Sequence, residues 1–166
     1  MNSKKYNVIS NTTPIIALAS IEKLELLPIL FKDIIIAEAV RDEINAGGGI
    51  KVQPPETIEW MKIRKNVIDI NDELLLDLDE GEKQTIIMGI HADASTSDCL
   101  LLIDERKGRK IASSKGLKIK GTLGILADAK RRGLIEDFKT NALRLLDNNL
   151  YYDLKLIEAI SLEVDK

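Results

Sequence analysis

The chain has 166 residues, of which 45% are hydrophobic, 31% charged and only 4% aromatic. That balance fits one globular domain with an aliphatic core, excludes a disordered or fibrous chain and weakens any reading built on exposed rings that stack RNA bases. The net charge of −3, taken alone, argues against a nucleic-acid partner.

From the N-terminus, Tyr6 to Ser10 (YNVIS) reads as a short buried strand ending at the polar cluster Asn11-Thr12-Thr13-Pro14. Thr12 or Thr13 can cap the helix that follows, with Pro14 tolerated in its first turn. Ile15, Ile16, Leu18 and Ala19, then Leu24, Leu27 and Leu30, have helical spacing, with breaks expected between Ser20 and Glu22 and again near Pro28. Asp33 to Ala37 is a β-branched run of strand length, and in the following AEAVRDEI Val40 and Ile44 share one helical face. Three glycines and two prolines between Asn45 and Pro55 predict a loop. Ile58 to Ile70 reads as a strand or an irregular connection, Asn71 to Leu78 as a short helix and Glu82 to Ala92 as a longer one.

Cys99 to Ile103 (CLLLI) has the continuous apolar character of a strand buried on both faces of a parallel sheet. A basic helix over Arg106 to Ser114, a very short strand over Leu117 to Ile119 and a helix over Thr122 to Arg132 follow, with Gly133 at the C-cap. Residues 136–164 read as two more helices. Strands alternating with helices predict an α/β fold with a central parallel sheet covered on both faces. The expectation is a single domain over 1–166, with 136–166 a helical extension packed on it.

A lone cysteine, Cys99, and a lone histidine, His91, exclude an internal disulfide and a Cys/His zinc site. The segment MNSKKYNVISNTTP has no signal-peptide hydrophobic region, and no apolar run approaches the roughly 18 residues a membrane span needs. A soluble, cytoplasmic protein without membrane partners is expected.

The net charge conceals an asymmetry. Arg106 to Arg132 holds ten of the 24 basic residues and one of the 27 acids, Asp128, a local charge of +9 that leaves −12 for the remainder. Ligands of open parallel sheets bind beyond the carboxyl ends of the strands. There the first strand delivers Asn11, Thr12 and Thr13, and CLLLI delivers Asp104 and Glu105. Glu43 lies at the margin of a buried helical face, and Glu82 lies in the first turn of its helix. Brought together, these oxygens suit Mg2+ or Mn2+ and phosphodiester hydrolysis. Singly, the first-turn acids also serve the helix dipole, and Glu43 can pair with Arg41 or Lys51. Arg106, Lys107, Arg109 and Lys110, beside the Asp104 strand end, suit nucleic-acid phosphates.

The runs VISNTTPIIALASIEKLELLPILF, IIIAEAVRDEI, LDEGEKQTIIMGI and CLLLIDERKGRKIASSKGLKIKGTLGILADAKRRGLI resemble the stand-alone prokaryotic PIN-domain proteins over roughly residues 6–135. The resemblance implies a three-layer α/β/α sandwich and an Mg2+- or Mn2+-dependent ribonuclease, similar to the toxins of toxin–antitoxin systems. It implies an RNA substrate, a small antitoxin partner and a homodimer. It implies metal ligands at Asn11, Glu43, Glu82 and Asp104, with Glu105, Thr12 and Thr13 completing the catalytic set. Asn11 stands where the family usually has Asp, and its amide brings no negative charge to a cation. The alternative is therefore a catalytically impaired PIN fold that binds RNA or protein.

Overall fold

The computed structural model describes residues 7–65, 67, 69–94 and 98–166. Tyr6 lies outside them, so the first strand is described from Asn7. Strands β1 (Asn7–Ser10), β2 (Ile34–Ala37), β3 (Met61–Arg64), β4 (Cys99–Leu102) and β5 (Lys118–Lys120) form one all-parallel sheet in the order β3-β2-β1-β4-β5. The central pair is in register over Asn7–Cys99 to Ser10–Leu102. Ile9, Ile34, Ile36, Leu101 and Leu102 are fully buried, as unbroken apolar strands in a doubly covered parallel sheet must be.

Eight helices are described: α1 (Thr12–Ser20), α2 (Leu26–Phe31), α3 (Glu38–Ala46), α4 (Glu80–Ala94), α5 (Arg106–Ser114), α6 (Thr122–Arg131), α7 (Phe138–Asp147) and α8 (Leu154–Val164). Helix α4 packs on β1, β2 and β4, and a Cβ on Gly89 would stand 2.9 Å from Leu101, so α4 covers the face that carries Leu101. On the other face, α2 and α6 flank Val8, Leu100, Lys118 and Lys120. Helices α7 and α8 pack on each other and on α6. Asp165 holds that pair closed, accepting from Phe138 N at 2.8 Å, Lys139 N at 3.0 Å and Ser161 Oγ at 2.9 Å. No helix among the described residues is long and apolar enough to cross a membrane.

Several predicted boundaries move for local reasons. Asn11, not Thr12 or Thr13, is the N-cap of α1, and its side chain makes no capping bond. The hydroxyls of both threonines are engaged with acids instead. The predicted break at Pro28 is absent, because Pro28 falls in the first turn of α2, where its missing N–H leaves no intrahelical bond unmade. The break after Ser20 is present and turns on Glu22 at φ 56°. Asn45 and Ala46 still belong to α3, which ends at Gly47 with φ 79°. The predicted helix over Asn71 to Leu78 reduces to a 3-10 turn, Glu73–Leu75, capped by Asp72. Leu117 precedes β5 rather than opening it, because its N–H is bonded to Ala112 O at 3.1 Å.

Candidate functional site

The connections β1 to β2 to β3 run one way across the sheet, and β4 and β5 lie on the other side of β1. Between the ends of β1 and β4 the direction reverses, which is where a parallel sheet opens a crevice for a ligand. Asn11 leaves β1 there, its N–H bonded to Leu102 O at 2.9 Å. Asp104 and Glu105 leave β4 two residues later.

The short segment Asn11-Thr12-Thr13 reaches both neighbouring acids. Thr12 Oγ1 donates to Glu43 Oε2 on α3, and Thr13 Oγ1 donates to Glu105 Oε1 at 2.7 Å. Glu43 in turn lies against the start of α4, where a Cβ on Gly81 would stand 2.6 Å from its Oε1. The absence of a side chain at Gly81 is what lets α3 bring its carboxylate this close.

Asp79 immediately precedes helix α4, and its Oδ1 accepts from Glu82 N at 2.8 Å. That is half of a capping box. The Glu82 carboxyl is 6% exposed, and its Oε1 has no hydrogen-bond partner. A Cβ on Gly108 would come within 2.6 Å of that oxygen, which places it against the first turns of α5. Burial, together with the nearby charges of Asp79 and Glu105, pushes the Glu82 carboxyl up to about 7. Among the described residues, the other buried side-chain oxygen without a partner is Asn11 Oδ1, on a residue 2% exposed.

Asp104 is held differently. Its Oδ1 accepts from Thr122 N and its Oδ2 from Thr122 Oγ1 and Tyr152 Oη, all at 2.6 Å. Thr122 opens α6, and Gly121 before it leaves room for Asp104 Oδ1 and the Arg109 guanidinium, which lie 3.0 and 2.7 Å from where its Cβ would be. Burial and the charge of Asp104 raise the Tyr152 phenol above its ordinary value, so it stays a donor.

The structure thus brings Thr12 to Glu43, Thr13 to Glu105 and Glu82 near Glu105 around the strand end that Asn11 leaves, whereas the Asp104 carboxylate is tied to Thr122 and Tyr152. The predicted phosphate-binding residues divide. Arg106 and Lys110 are exposed on α5, and Lys107 is exposed with Asp77 at 3.4 Å. Arg109 instead turns its guanidinium to Ile103 O at 3.0 Å and buttresses the strand end. Thr122 and Tyr152 were not among the predicted site residues. Thr122 had a signal, as the first hydroxyl after the last strand, whereas Tyr152 sits in the α7–α8 connection, 48 residues from Asp104, with no spacing to announce it.

Among the described residues, no group of three or more His, Cys, Asp or Glu is arranged to hold a metal ion. The two buried oxygens without partners, Asn11 Oδ1 and Glu82 Oε1, are nevertheless hard donors of the kind Mg2+ and Mn2+ take. An unpartnered buried oxygen is costly unless something satisfies it, and on that chemistry a divalent cation fits.

A parallel α/β sheet with acids and hydroxyls gathered at its switch point defines the class: an α/β protein with a hard-oxygen crevice. The family model DUF3368, described as a PIN domain, matches residues 7–166, and the chain belongs to this PIN-domain family, a nuclease-type fold whose members generally use divalent metal ions. No curated protein and no solved structure gives a match.

Proposed function

We propose that this protein is a divalent-metal-dependent endoribonuclease of PIN type, and the observation that carries the reading is that Asn11 and Glu82 each bury a side-chain oxygen without a hydrogen-bond partner. Asn11 and Glu82 would hold the cation, with Glu43 and Asp104 as the further carboxylates. When bound, such a cation supplies Lewis acidity toward a phosphodiester and makes water more acidic. The chain's own residues do the rest. Thr12 and Thr13 fix the rotamers of Glu43 and Glu105. Thr122 and Tyr152 fix Asp104. Arg106 and Lys110 present charge to RNA phosphates beside the crevice. The unit of function is one domain, with 136–166 bringing Tyr152 to Asp104. By resemblance, the reading extends to the cytoplasmic toxin of a toxin–antitoxin pair.

A second reading has its own observation. Asn11 brings no charge, and both oxygens of Asp104 are already engaged, which suits a PIN fold that binds RNA without cutting it. The test is Mn2+ binding by calorimetry with RNA cleavage by wild type, Glu43→Ala, Asp104→Ala and Asn11→Asp. The nuclease reading expects the two alanine variants to lose cleavage. It also expects Asn11→Asp to tighten Mn2+ by at least about tenfold, because it adds one charge to a buried site. No Mn2+ binding, with no gain from Asn11→Asp, leaves the binding-module reading standing.

A further inference from the structure

On the sheet face away from α4, the register sets Val8, Leu100 and Lys118 side by side across β1, β4 and β5. The end of α2 and the last turns of α6 rise on either side and enclose a groove of about 520 Å³, within the usual span of small-ligand sites, about 300–1,000 Å³. Its floor is aliphatic and aromatic. Leu30, Phe31 and Leu100 remain half-buried there, with apolar area still in water.

Its rim is cationic. Lys118, Lys120, Arg131 and Arg132 line it against one acid, Asp128, in a chain whose net charge is −3. Asp128 is shared between Lys120 and Arg131, and Arg131 also pairs with Glu163 at 2.9 Å. Arg132 is exposed and makes no ion pair among the described residues. Lys118 in turn lies 4.0 Å from Asp98, so once Asp98, Asp128 and Glu163 are counted the groove keeps a surplus of one positive charge, that of Arg132.

Each simple occupant leaves part of this unused. An inorganic anion would use the rim and leave the apolar floor wet, and an apolar molecule would leave the rim unneutralised. A nucleic-acid backbone would meet the cations but cover none of Leu30 or Leu100 with apolar surface. We propose that the groove binds a small amphipathic anion, its phosphate or carboxylate head held by Lys118, Lys120 and Arg132 and its alkyl tail laid on Leu30, Phe31 and Leu100. This site is separate from the strand-end crevice and does not depend on cleavage.

The test is calorimetric titration of the full chain with octyl phosphate as free monomer, alongside inorganic phosphate, octanol and a short single-stranded RNA. One octyl phosphate should bind per chain, at least about tenfold more tightly than inorganic phosphate or octanol, a gap of about 1.4 kcal/mol or more. Arg132→Glu and Lys118→Glu should each weaken it by about tenfold, since each reverses a charge at the rim without touching the core. Phe31→Ala should weaken octyl phosphate and leave inorganic phosphate unchanged, with the melting curve checking that it folds. No binding, equal binding of inorganic phosphate or of octanol, or unchanged binding by both charge-reversed variants overturns the proposal. Stoichiometric displacement by the RNA, lost in the same variants, also overturns it and makes the groove part of an RNA path.

Discussion

The strand-end crevice and the face groove handle charge in opposite ways. In the crevice, three acids are tied to hydroxyls, Glu43 to Thr12, Glu105 to Thr13, and Asp104 to Thr122 and Tyr152. In the groove, three of the four cations pair with carboxylates, Lys118 with Asp98 and Lys120 and Arg131 with Asp128, Arg132 is left over, and most of the four are exposed. Hydrogen bonds from neutral hydroxyls fix an acid's position without neutralising it, so these acids keep their negative charge. Groove side chains at the rim are solvated, so their charge acts by attraction rather than by fixed geometry. Substitutions in the two regions should therefore read out differently, in stability for the crevice and in ligand affinity for the groove.

The largest stability effect is expected from Asp104→Ala. It removes the common acceptor of Thr122 N, Thr122 Oγ1 and Tyr152 Oη, and leaving such partly buried donors unmatched costs about 3 kcal/mol in total. Urea unfolding checks it, and a loss under about 1 kcal/mol would mean that water replaces the carboxylate freely and that the crevice resembles the groove.

Next comes Glu82→Gln in metal-free protein. The folded pKa of Glu82, about 7, lies above the ordinary carboxylate value. Its contribution is therefore fully present below the unfolded pKa and is lost as pH rises through about 7. Glutamine does not ionise, so the variant should gain on the order of 2 kcal/mol relative to wild type at pH 8 and nothing at pH 4. Denaturation at the two pH values measures the difference, and a pH-independent offset would remove burial as the cause.

Tyr152→Phe deletes a single donor to Asp104 and should cost about 1 kcal/mol. If the C-terminal helices hold Asp104 only through that hydroxyl, Mn2+ affinity should move as well. Thr13→Val breaks an exposed pair with Glu105 and should change stability by less than about 0.5 kcal/mol. A larger loss there would show that Glu105 is as tightly embedded as Asp104.

Much of this fold is legible in the sequence because local and tertiary demands agree. The basic stretch Arg106–Ser114 is a helix with its predicted bounds, since its only buried residues, Gly108, Ile111 and Ala112, fall on one narrow face. The apolar run at Cys99 has one way to be buried on both sides. The places of Glu82, Asp104 and Glu105 in the fold were legible for a related reason, since helix starts and strand ends have readable positions, whereas Glu43 lies in the middle of α3. The same local rules failed where a side chain had a distant partner. Thr12 is chemically a fine N-cap, and a carboxylate 31 residues away outbids the helix for its hydroxyl. Pro28 looks like a breaker unless the helix begins two residues before it. Tyr152 is invisible because nothing in a periodicity reports a contact made by a connection.

Strand β5 is only three residues long and forms the outer border of the sheet. An open border offers unpaired peptide groups to any extended chain that drifts against it, and short length with lysine side chains is how natural sheets discourage that pairing. Lys118 and Lys120 therefore serve two ends at once, since the charges that line the groove also guard the sheet against self-association. Replacing both with apolar residues should trade a binding defect for aggregation, whereas reversing their sign keeps the border guarded.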